Sequence, residues 1–103
     1  MAQRTFPMHG EYKMPGGKLV VADLDVRDGR LANVQMSGDF FLEPDSALDT
    51  INRVLEGQPE DAGEAELSAA LRDTLGADVM MYGISPEAIA VAVRRAVRGN
   101  GEA

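Results

Sequence analysis

Few residues in this chain are suited to making or breaking bonds. Cysteine is absent, which excludes a thiolate nucleophile, a Cys-ligated zinc or iron-sulfur centre and a disulfide together. His9 is the single histidine and a general base in principle, but no serine stands in a nucleophile elbow for it to activate. The carboxylates follow neither the helical histidine spacing of a zinc enzyme nor a calcium-loop pattern. No catalytic residue and no metal site is therefore expected.

Two short segments combine backbone freedom with a charge. Pro15-Gly16-Gly17-Lys18 can present N–H groups and one cation to a phosphate or carboxylate, although it falls short of a P-loop and equally suits a plain turn. Ser37-Gly38-Asp39-Phe40-Phe41 joins a glycine, an acid and two aromatics where a strand ends. Its plainest role is to cap the core edge with the phenylalanines while Asp39 bonds nearby backbone. Met14, Met36, Met80 and Met81 offer conformable apolar contact, to a core or to a partner; Met36 is assigned to the core.

These segments need a scaffold to hold them. His9 to Met14 is short and mixed, Pro15-Gly16-Gly17 breaks it, and Leu19 to Val26 is a strongly β-forming run. At Arg27-Asp28-Gly29-Arg30 a two-residue type I′ hairpin pairs Val26 with Leu31. Strict alternation argues against it, because Val20, Ala22 and Leu24 would then face away from Ala32, Val34 and Met36. A three-residue loop with Gly29 left-handed pairs Leu24 with Ala32, Ala22 with Val34 and Val20 with Met36, and is the expected register. The other face, with Leu19, Val21 and Leu31, is then exposed.

A sheet with one apolar side needs a cover, and three amphipathic helices supply it. Leu48, Ile51, Val54 and Leu55 form the first stripe, with Pro44 in its first turn and Gly57 after its end. Gln58 to Gly63 is a linker. Leu67, Leu71 and Leu75 recur before Gly76, and after an apolar connection from Asp78 to Gly83 the pair Ser85-Pro86 opens a third helix. Ile89, Ala92, Val93, Ala96 and Val97 are its buried stripe, and Arg94, Arg95 and Arg98 suit its C-terminal dipole. The expected fold is α+β: a three-stranded antiparallel sheet covered on one face by three helices, with residues 1–8 a flexible lead-in, 9–98 one domain and 99–103 a frayed tail.

A chain of 103 residues with 45% apolar content has room for one core. Its net charge of -7 opposes the phosphate neutralisation that nucleic-acid binding requires. No run is long and apolar enough to span a bilayer, and the first residues lack the apolar stretch of a signal peptide. A cytoplasmic protein with neither nucleic-acid nor membrane partners is expected.

Lys13-Met-Pro-Gly-Gly-Lys-Leu19 and Val34-Gln-Met-Ser-Gly-Asp-Phe-Phe-Leu42, spaced by the Asp-Gly hairpin, resemble the accessory C-terminal domain of bacterial and archaeal lipoate-protein ligases. The segments Glu43-Pro44 through Gly57 and Tyr82-Gly-Ile-Ser-Pro-Glu87 extend the likeness over about residues 9–98. In that family a large domain uses lipoate and ATP with magnesium to form lipoyl-AMP. It then transfers the lipoyl group to a lysine of an acceptor lipoyl domain or glycine-cleavage H protein.

The small domain, needed for activation, is fused in some organisms and a separate chain in others. The resemblance thus implies an accessory subunit of a heterodimer, without activity or bound cofactor of its own. It also implies that Gly16, Gly17, Lys18, Ser37, Gly38, Asp39 and Phe40 lie at the interface that orders the partner's active-site loops. A stand-alone acidic interaction module, docking through Leu19, Val21 and Leu31, is the alternative.

Overall fold

A computed structural model describes residues 8–16, 18–76 and 79–99. The lead-in over 1–7, Gly17 and the tail over 100–103 lie outside the described residues; Met8 opens a strand and Gly99 ends a helix. The chain order is β1 (Met8–Lys13), β2 (Leu19–Arg27), β3 (Arg30–Gly38), β4 (Phe41–Glu43), α1 (Ala47–Leu55), α2 (Glu64–Leu75), β5 (Met80–Tyr82) and α3 (Pro86–Gly99). The first three strands form an antiparallel sheet in the order β1-β2-β3, and β4 pairs with β5 in a separate ribbon. The α+β class, with a three-stranded sheet and three helices, is as the residue pattern predicts.

The β2-β3 hairpin departs from the expected register. Asp28 and Gly29 both have positive φ, 53° and 76°, and Arg27 pairs with Arg30 and Val26 with Leu31. This is the two-residue turn that strict alternation disfavours. Alternation fails because Asn33, at φ 51°, is an extra residue in β3. Asp25 pairs with Ala32, but Asp23 pairs with Gln35, Ala22 with Met36 and Val20 with Gly38.

Leu24 thus faces two residues of β3 across a bulge, and the bulge turns the strand over. Leu31 before it and Val34 and Met36 after it all point into the core, where Val20, Ala22 and Leu24 are also buried. Leu31 is therefore not exposed, Ala32 is only half-buried, and the expected docking face of Leu19, Val21 and Leu31 loses Leu31, with Leu19 and Val21 half-buried. Asparagine tolerates left-handed backbone better than other non-glycine residues, which suits it to this position.

The helices cover the sheet unevenly. α3 crosses β1 and β2, α1 lies along β3, and α2 packs on both helices. Gly10 makes the first contact possible: a Cβ there would stand 2.3 Å from Ala96 N and 2.4 Å from Ala92 O. The two alanines are fully buried, so small side chains on both sides let a strand backbone touch a helix backbone. Arg95 fastens the same junction, donating to Glu11 O at 3.0 Å with its guanidinium 5.1 Å from the centre of the Tyr12 ring.

At the other edge, α1 replaces a missing strand. Asn52 Oδ1 accepts from Met36 N–H at 3.0 Å and Glu56 Oε2 from Val34 N–H at 2.8 Å. Four helical residues rise about 6 Å and two strand residues about 6.8 Å, so one helical turn matches one repeat of outward N–H groups. Gly57 to Glu60 then completes the edge, with Leu31 N–H donating to Gln58 O and Gly57 N–H to Leu31 O, each at 2.8 Å. The segment read as a linker is thus bonded to the start of β3. Pro44 follows β4 and precedes α1, so it is not in the helix's first turn as expected.

The Ser85 cap is as the residue pattern predicts, and α2 has a cap that the pattern does not single out. Ser85 Oγ accepts from Ala88 N–H at 3.1 Å, and Glu66 accepts from Gly63 N–H at 2.9 Å. Arg72 of α2 pairs with Glu87 of α3.

Substitutions at the bulge and at the strand-helix contact test this arrangement. Asn33→Val should destabilise by about 1–3 kcal/mol because a β-branched residue resists left-handed backbone, whereas Asn33→Gly should cost less than about 1 kcal/mol. Urea denaturation giving the reverse order, as strand propensity alone would, contradicts the bulge. Gly10→Val should cost at least about 1–3 kcal/mol by overpacking β1 against α3.

Candidate functional site

The register set by the bulge brings the two charged segments together. Lys18 immediately precedes β2 and Asp39 immediately follows β3, and Asp39 N–H donates to Leu19 O at 2.9 Å. Gly38 permits this closure: its φ is 139° and a Cβ would stand 2.1 Å from Leu19 O. An L side chain there meets both unfavourable φ and a backbone clash.

A third segment enters from β5. Phe41 pairs with Tyr82, Leu42 with Met81 and Glu43 with Met80. Gly83, at φ 81°, turns the chain away so closely that a Cβ would lie 3.0 Å from Lys18 Cγ and 3.2 Å from Asp39 O. The lysine stem and the Asp39 carbonyl therefore rest against bare backbone. Lys18, Asp39, Phe40, Phe41, Tyr82 and Gly83 line an open cleft of about 400 Å³. A second hollow of about 230 Å³ is lined by Phe40, Phe41, Leu42, Asp45 and Leu48 and so shares the two phenylalanines.

Of the residues singled out from sequence, Lys18, Asp39 and Phe40 meet in this cleft. Gly16 is exposed in the β1-β2 turn at φ 103°, Ser37 is exposed opposite Val21, and Gly38 shapes the approach; none of the three lines the cleft. The motif reading misses Phe41, Tyr82 and Gly83 as wall residues. Their signal is an aromatic next to a glycine in an otherwise apolar connection. Phe41 does not cap the core as expected but is exposed, its ring centre 5.8 Å from that of Tyr82.

The cleft combines one cation, one carboxylate and aromatic faces. That set can hold a polar backbone segment or an apolar side chain, but it has no nucleophile-base pair. Among the described residues no three His, Asp or Glu side chains gather to hold a metal ion, and no helix is long and apolar enough to cross a membrane.

His9 lies at the opposite end of β1. Its Nδ1 is 2.6 Å from Asp23 Oδ1 and its Nε2 2.8 Å from Glu11 Oε2. Hydrogen bonds to Glu11 and Asp23 raise its pKa above 6.5, against a smaller lowering by desolvation. A bridged imidazolium in this position ties neighbouring strands and is poorly placed as a free base.

The linkage has a definite sign. Because His9's folded pKa exceeds its unfolded value, the bridge stabilises fully below about pH 6.5 and its contribution fades as pH rises through the folded pKa. Wild-type urea midpoints should fall across that range more than those of His9→Gln. The ring resonance of the sole histidine should titrate above 6.5; titration at or below 6.5 contradicts the two-carboxylate bridge.

No protein-family model and no curated protein matches this chain. Among solved structures, it is similar to a chain from an archaeal lipoylation system, comprising a bipartite lipoate protein ligase and its E2 lipoyl domain from Thermoplasma acidophilum. The match covers 86% of this chain and 93% of that chain at 21% identity, with a TM-score of 0.62. The likeness is one of fold, and it extends over nearly the whole of both chains.

Proposed function

We propose that this chain is the accessory subunit of a two-part lipoate-protein ligase, required by a separate catalytic subunit for ATP-dependent activation of lipoate to lipoyl-AMP. One observation carries the reading: segments distant in sequence, Lys18, Asp39-Phe40-Phe41 and Tyr82-Gly83, converge on one open cleft. Both motifs that resemble the ligase accessory domain meet there, on a fold similar to a chain from a bipartite ligase system. A structural role alone would leave these segments free to be buried.

In this reading the chain supplies organisation. The corner around this cleft docks against loops of the catalytic subunit, restrains them over lipoate and ATP and excludes water, so that carboxylate and α-phosphate are held in line. Gly16 lies in the exposed turn before Lys18, Gly17 completes that motif in sequence, and Ser37, Gly38, Asp39 and Phe40 form the facing corner. The lipoyl-domain or H-protein acceptor meets the catalytic subunit, and the cofactor chemistry stays there. The ε-ammonium of Lys18 either adds a cation near the developing negative charge or serves only to pack its stem on Gly83.

Mixing the full chain with the catalytic subunit, lipoate, ATP and magnesium should yield lipoyl-AMP that neither protein makes alone. Two folded chains that show no such gain overturn the proposal. Lys18→Ala separates the two roles of the lysine: a loss of tenfold or more in adenylate formation, with heterodimer affinity unchanged, assigns the cation to the reaction. An undiminished rate confines it to the turn.

A further inference from the structure

Every large apolar side chain that the described residues leave exposed lies on one small ribbon: Phe41 at 55%, Met80 at 49% and Tyr82 at 48%. Alternation explains why they share a face. Phe41 pairs with Tyr82 and Glu43 with Met80, while Leu42 and Met81, between them, turn toward the core. The ribbon is anchored on one side and its other side presents an aromatic pair, a thioether and a carboxylate. Phe40 and Phe41 line two adjoining hollows. An apolar centre with polar margins is how a docking surface differs from scattered surface leucines.

The margin is unbalanced. Asp39 lines one hollow, Asp45 the other and Glu43 lies on the ribbon, whereas among the described residues Lys18 is the one cation in the lining of either hollow. A second copy of the chain is a poor occupant, because an isologous contact sets the same patch against itself. Three carboxylates would then meet three carboxylates, between chains that each carry -7. The complementary occupant bears lysine or arginine around an apolar projection.

We infer that the outer face of the β4-β5 ribbon is the main docking surface for a heterologous protein whose matching patch is apolar at its centre and basic at its rim. The inference rests on the accessory-subunit reading, under which that protein is the ligase catalytic subunit, and it adds Phe41, Met80 and Tyr82 to the interface. Phe41 and Tyr82 are the anchors, since rigid aromatics near a patch centre dominate binding. The acids steer encounter and make it salt-dependent.

Titration calorimetry of the full chain against the catalytic subunit, with lipoyl-AMP formation measured in parallel, tests this. Phe41→Ser and Tyr82→Ser should each weaken affinity tenfold or more while leaving thermal unfolding close to wild type. Gln35→Ser, on the exposed far face of β3, should not weaken it. The triple variant D39N, E43Q, D45N should bind more slowly and lose most of its salt dependence. Wild-type affinity in both aromatic variants, with adenylate still made on mixing, overturns this surface and leaves the accessory role standing. No binding and no adenylate gain with the wild-type chain overturns both. Concentration-dependent self-association abolished by Tyr82→Ser assigns the face to a second copy and also overturns the inference.

Discussion

One left-handed residue sets the geometry on which the site depends. Asn33 adds a residue to β3, and the consequences run in both directions along the hairpin. Toward the turn, it allows a two-residue loop whose central residues both carry positive φ, the twist that flanking strands favour. Away from the turn, it shifts the pairing so that Gly38 faces Val20 and Asp39 closes on Leu19. A one-residue slip would turn Val34 and Met36 to solvent. Burial of those two side chains therefore fixes the bulge, and the bulge fixes which residues stand beside Lys18.

The two edges of the sheet are engaged by different physical means. At β3, the Asn52 amide of α1 and the carboxylate of Glu56 at its C-terminal cap take the outward N–H groups of Met36 and Val34. At β1, Gly10 lets α3 approach to backbone contact and Arg95 occupies the Glu11 carbonyl. Blunted edges of this kind discourage strand addition. The β4-β5 ribbon carries the exposed large apolar side chains of the described residues.

Charge and packing are divided between faces. The far side of the sheet is wet, with His9 bridged between Glu11 and Asp23 and Asn33 Nδ2 donating to Asp25 at 3.2 Å. The helical side is almost wholly aliphatic, Ser68 being the one buried polar residue among the described residues, and that hydroxyl donates to Ala65 O at 3.2 Å. Lys18 and Asp39 stand at the border, close enough to the core for their backbones to be fixed and exposed enough for their charges to act outward. A cleft built on fixed backbone keeps its shape without a ligand, which lowers the ordering cost of association.

The residue pattern by itself determines the α+β class, the stripes of α2 and α3 with their glycine and serine ends, and most of the core from Val20 to Ala96. These follow from periodicity and capping, which act over a few neighbouring residues. It also marks Lys18 and Asp39-Phe40 as unusual. Only the tertiary structure decides the register of the hairpin, because a bulge is selected by the burial of Leu31, Val34 and Met36 together. Only the fold joins β4 to β5 and reveals Gly10 and Gly83 as points of close approach, since each depends on backbone that arrives from a distant part of the chain. Segment identity is local, whereas the meeting of segments is set by long-range packing.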